Sequence, residues 1–202
     1  MAEPVRPPTD ITPTRFFEEW LPAQLAAAPR ADLKPMIVRV QLDGAEGGAW
    51  DLKMGGGLVV QRASMGDAGT PDAAVTIVQT VQDWKAIAVG EPGAVNLAPP
   101  QASPMDILFL DRNAQDMLGT VKGTIRFEVT GFNGRTWNLT VAFGMPPAAE
   151  ASATISVDAE TYAGMLARTI PPPAAYFSGK IKLLGDVALA MQLGMAMLPR
   201  FS

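Results

Sequence analysis

Thr120-Val-Lys-Gly-Thr-Ile-Arg-Phe-Glu-Val-Thr130, then Asn133-Gly134, then Trp137-Asn-Leu-Thr-Val-Ala-Phe143 is the stretch that decides the fold. Val121, Gly123, Ile125, Phe127 and Val129 alternate with polar neighbours, the period of a strand with one buried face. Asn-Gly suits a tight hairpin because both residues tolerate positive φ, and Trp137, Leu139, Val141 and Phe143 then return on the inner phase.

The same alternation occurs upstream. Val38, Val40 and Leu42 precede a Gly-rich turn, and Trp50, Leu52 and Met54 follow it; 58–61, 73–78, 153–157 and 180–184 read as further strands. Helix starts punctuate them. Thr12-Pro13 opens a helix carrying Phe16, Phe17, Trp20, Leu21 and Leu25, which Pro22 is expected to kink or cut short. Thr80-Val-Gln-Asp83 is a capping-box-like start for a helix that stops at Gly90, and Ser103-Pro-Met-Asp106 is another start. Residues 158–168 present Tyr162, Met165 and Leu166, with Pro171-Pro-Pro173 as the expected stop. From Asp186 to Leu198 only Asp186 and Gln192 are polar, so this last helix reads as a pocket wall or a buried plug.

The order of these signals repeats. Trp50-Asp-Leu52 matches Trp137-Asn-Leu139 at an offset of 87 residues, and Trp84 matches Tyr162 at 78, the loop at 62–71 absorbing the difference. The expected organisation is a loose tail at 1–11, a degenerate unit at 12–103 and a second unit at 104–202.

Composition narrows the chemistry. In 202 residues there is no histidine and no cysteine, which removes a Ser-His-Asp triad, a Cys-His pair, disulfides and the usual metal frameworks; no metal and no cofactor is expected. A net charge of -4 without a basic cluster argues against nucleic acid. The opening residues lack an apolar h-region and the final apolar run is too short to span a bilayer, so a cytoplasmic protein is expected.

At residues 124–143, 153–166 and above all Phe177-Ser-Gly-Lys-Ile-Lys-Leu-Leu-Gly185 followed by Leu189-Ala-Met191, the chain resembles the sterol carrier protein type 2 (SCP2) family. The resemblance covers 104–202 well and the first half only in its strands and one helix; the first half has no counterpart of the Gly-Lys-x-Lys-x-x-Gly block. It implies an α/β (α+β) fold, a mostly antiparallel twisted sheet covered by helices that enclose an apolar cavity. Carried over by position, Phe177, Gly179, Lys180, Gly185 and the 186–198 helix are pocket and mouth elements. Phe127, Trp137 and Leu139 of the hairpin, Tyr162, Met165 and Leu166 of the aromatic helix and Leu184 of the last strand complete the expected lining, with Leu189, Met191, Leu193 and Met195 on the terminal helix.

The function so implied is non-catalytic binding and intracellular transfer of a hydrophobic ligand: a sterol, a fatty acid or acyl-CoA, or a phospholipid. Transient membrane contact goes with it, as does a monomer (a pseudo-dimer of two fused units) or a homodimer. Two other classes remain: an accessory or dimerisation module whose core is filled by its own side chains, and an enzyme acting on a polyketide- or isoprenoid-like substrate with Tyr162, Asp158 or Asp186 as acid or base.

Overall fold

The computed structural model describes residues 6–27, 34–55, 57–65, 73–92, 94, 97, 115–116 and 119–197. The expected helix start at 103–106, most of the connection before it, residues 1–5 of the expected tail and the side chains of Leu193 and Met195 lie outside the described residues.

Among the described residues eight strands form one sheet: β1 (Met36–Asp43), β2 (Gly48–Met54), β3 (Leu58–Ala63), β4 (Val75–Thr80), β5 (Gly123–Phe132), β6 (Arg135–Phe143), β7 (Ala153–Asp158) and β8 (Ile181–Gly185), in the order β3-β2-β1-β4-β6-β5-β7-β8. Every pairing is antiparallel except β1 with β4 and β5 with β7. The mostly antiparallel, helix-covered α/β architecture implied by the sequence is therefore present.

The set β2-β1-β4 recurs as β6-β5-β7, with the same strand directions, and each set ends in a helix: α3 (Val81–Ala88) after β4 and α4 (Ala159–Leu166) after β7. Both helices begin on a side-chain cap, Thr80 accepting from the Asp83 amide and Asp158 from the Thr161 amide. The ladders correct one expectation. Val40 faces Trp50 and Ile77, while Phe127 faces Leu139 and Ile155. Leu139, and not Trp137, thus stands where Trp50 stands; the place of Trp137 belongs to Gly48, over which the Trp50 ring lies, a Cβ on Gly48 falling 2.9 Å from it. The shift of two residues preserves the face, which is why an alternation pattern alone does not detect it. At the far edge β8 pairs with β7 in the register by which β6 pairs with β4, Leu183 taking the seat of Val141 and Gly185 that of Phe143.

One face of the sheet is apolar along its whole width and carries the helices. The N-terminal rod is α1 (Pro13–Arg15), a π turn over Phe16–Trp20 and α2 (Leu21–Ala27). It runs through Pro22 rather than stopping there: the missing amide of proline is accommodated by the wider turn, in which Leu21 bonds to the Phe16 carbonyl. Phe17 stacks on Trp50 at 4.7 Å and Phe16 meets Trp84 edge-on at 5.2 Å, closing the first core. Ile11, placed in the expected tail, is buried in that core. The prolines at 171–173 do not merely end α4; they open α5 (Pro172–Phe177), where a proline suits the first turn. The terminal helix is α6 (Val187–Met197). On the opposite face Arg39 and Asp51 form a buried bidentate pair at 2.8 and 3.0 Å.

Arg135 ties the halves together. Its guanidinium donates to Asp83 of α3 and to Glu91, and lies 5.1 Å over the Phe132 ring. Beside it the Trp137 indole N–H donates to the Asp83 carbonyl at 2.7 Å.

Candidate functional site

Three rows of apolar side chains cross the sheet in the C-terminal half, each fixed by the ladder. The upper row, Val129, Trp137 and Val157, is buried in one cluster with Ala86 of α3 and Leu97. The lower row, Ile125, Val141 and Ala153, is buried in another with Leu189 and Ala190 of α6. Between them Phe127, Leu139, Ile155 and Leu183 form a row in which every member is only half-buried and which touches the cluster of the lower row, the Phe127 and Leu139 pair touching both. Four neighbouring strands make this row roughly 14 Å long. Tyr162 and Met165 of α4, also half-buried, pack against the cluster of its upper side.

The corresponding row of the N-terminal half is closed where Val40 and Trp50 lie, because Phe17 of the π turn stacks on Trp50. The same sheet position is thus sealed in one half and open in the other. The family resemblance implies an enclosed tunnel; what the described residues show at this place is a row of half-buried apolar side chains. A shallow depression of about 720 Å³ lies elsewhere, among Asp43, Glu46, Thr80 and Lys85.

Glycines let α6 and β8 approach. Gly123 leaves room for Leu189, whose Cδ2 would be 2.6 Å from an added Cβ. Gly185, at φ 80°, brings the chain so close to β7 that an added Cβ would be 2.3 Å from the Ser152 carbonyl oxygen. The final glycine of the Gly-Lys-x-Lys-x-x-Gly block therefore has a backbone role.

The groups considered as acids or bases are each engaged structurally. Burial pushes the Tyr162 phenol up to about 12, and its hydroxyl donates to the Leu97 carbonyl at 2.7 Å. The amide and then the hydroxyl of Thr161, both at 2.7 Å, hold the Asp158 carboxyl below the usual carboxylate range, with Lys180 adding a smaller Coulombic contribution. Asp186 caps α6, accepting from the Leu189 amide at 3.0 Å.

The expected lining divides accordingly. Phe127 and Leu139 lie in the half-buried row, Tyr162 and Met165 above it, Trp137 in the buried upper row and Leu189 on the buried side of α6, while Leu166 is half-buried on α4. Met191 is 56% exposed, Phe177 is 85% exposed and Lys180 is exposed beside Asp158. Leu184 is 62% exposed and pairs with Thr154, which puts it on the opposite face of the sheet. Its neighbour Leu183, with Ile155, occupies the row instead; the alternation of Ile181 and Leu183 with Lys182 carried that signal.

The model of the SCP-2 sterol transfer family matches residues 106–197. Hydroxysteroid dehydrogenase-like protein 2 of Bos taurus is 28% identical over 90 residues, 41% of this chain and 21% of that protein; its Danio rerio counterpart is 29% identical over 105 residues, 47% of this chain and 25% of that one. The chain thus spans about a quarter or less of the length of these curated relatives. Among solved structures it is similar to sterol carrier protein domain 2 of Helicoverpa armigera, with 21% identity, a TM-score of 0.35 and coverage of 47% of this chain and 77% of that one. It is also similar to sterol carrier protein 2 like 2 of Aedes aegypti, with 19% identity, a TM-score of 0.30 and coverage of 41% and 87%. Over residues 106–197 this chain is SCP2-like.

Proposed function

We propose that the C-terminal half binds a hydrophobic ligand non-covalently in the row formed by Phe127, Leu139, Ile155 and Leu183, and passes it on. The observation that carries this reading is the half-burial of that row between two sealed ones, where the equivalent position in the other half is closed by Phe17. Each buried CH2 of a ligand contributes about 0.8 kcal/mol, so an apolar groove holds a long or polycyclic molecule with few polar contacts. The relatives' name, hydroxysteroid dehydrogenase-like, fits a steroid-shaped ligand within this reading.

Leu139→Trp tests it. Because Leu139 holds the register of Trp50, an indole there fills the groove as Trp50 fills its counterpart. A fluorescent sterol or fatty-acid probe should bind the native chain and bind the folded variant about tenfold more weakly, a difference of roughly 1.4 kcal/mol. Equal binding would remove the row from the site. A second reading, the self-filled accessory module, draws on the packing of Trp137, Tyr162 and Met165 around Leu97. Native mass spectrometry that finds the chain free of lipid before and after incubation with vesicles would favour it.

A further inference from the structure

We propose that β8 is the seat of a two-fold dimer, pairing antiparallel with β8 of a second copy of this chain about Leu183. Among the described residues β8 is the last strand of the sheet. The Asp186 amide donates to the Ser152 carbonyl at 2.8 Å, in register with the β7 to β8 ladder. By the alternation of an antiparallel ladder, 182, 184 and 186 turn their backbone groups toward β7, and Ile181, Leu183 and Gly185 turn theirs outward. Unpaired groups on an outer strand are a template for another strand.

The side chains select the partner and the register. An axis through Leu183 sets Lys180 opposite Asp186 of the second copy, twice by symmetry, and lays the Lys182 stem along Leu184 of the second copy. Lys180, Lys182, Leu184 and Asp186 are all exposed in the single chain. An axis through Lys182 would oppose two ammonium groups, and one through Leu184 would leave fewer outward groups paired. The flanks agree. Tyr176 and Phe177 precede the strand, while Val187, 41% exposed, and Met191 follow it. A two-fold axis at the strand centre brings the start of one copy beside the end of the other, so each exposed apolar pair meets the other pair. The edge is complementary to itself in charge, in apolar surface and in backbone polarity, as an isologous interface requires. The open row of Leu183 would then continue across the axis.

Analytical ultracentrifugation of the full chain, over a concentration series reaching hundreds of micromolar, tests this with Leu184→Lys and Leu184→Glu. Both substitutions fall on an exposed position and remove the same apolar area. The lysine meets Lys182 of the second copy and the glutamate makes an ion pair with it. The native chain is expected to be a dimer, with Leu184→Lys dissociating about tenfold more readily than Leu184→Glu, both variants retaining the native far-UV spectrum. A native chain that stays monomeric throughout, or variants that dissociate alike, would overturn the proposal; a monomer that floats with anionic vesicles would give the edge to a lipid surface instead.

Discussion

Asp158 condenses one part of the problem into a single side chain. It was a candidate acid or base by type, yet its oxygens accept from the Thr161 amide and hydroxyl at the start of α4. Removing such a cap costs about 1 kcal/mol, so Asp158→Ala should lower the unfolding free energy read from urea denaturation at neutral pH by that amount. The carboxyl is held below its ordinary value, so its contribution is fully present above the unfolded pKa and is lost as pH falls through the lower, folded one. Asp158→Asn, which keeps an acceptor, should retain most of the neutral-pH stability and flatten the acid side of the stability profile. The cap was legible in the sequence as a helix start, because a short oxygen-bearing side chain before a periodic run has few other uses there. Leu184 shows the limit at this scale. Type and position made it resemble a lining residue, but only the pairing of Leu184 with Thr154 fixes which face it takes.

At the scale of elements, propensity and periodicity reached the hairpin, both capped helices and the last strand, since each is specified by neighbours in sequence. What they missed depended on contacts across the fold. Pro22 was expected to interrupt the N-terminal helix, but the π turn absorbs it and the aromatic residues of that turn are held by Trp50 and Trp84. Phe17→Ala should therefore unseal the N-terminal row and cost about 3 to 5 kcal/mol, read by thermal and chemical denaturation. If the sealed and open rows differ because of this ring, the same variant should also gain binding of an apolar dye such as ANS. The two tryptophans matched by sequence occupy different register positions, because the chain from Val129 to its partner Trp137, which includes a register shift before Phe132, is two residues longer than the chain from Leu42 to its partner Gly48. Gly185 belongs to this scale too. Gly185→Ala forces a Cβ onto the Ser152 carbonyl at positive φ and should destabilise the β7 to β8 pairing by about 2 kcal/mol or more, seen as faster amide exchange along β8.

At the scale of the molecule, one sheet runs through both halves, and Arg135 fastens α3 of the first to the hairpin of the second. Arg135→Met would leave Asp83 buried without its cation; because the guanidinium is partly exposed, a loss of about 2 kcal/mol is expected. Hydrogen exchange should show that loss at α3 and at the 132–135 turn together. The order of strands has a longer reach. Each three-strand set repeats in the same direction, so the junction of β4 with β6 joins unlike edges, a head-to-tail contact of the kind that by itself never closes. β8 takes against β7 the seat that a third set would need. It acts as a stop signal written into the sheet: β8 holds the edge at which a further set would add, as β3 holds the edge of β2 at the other end, so the array closes after two sets.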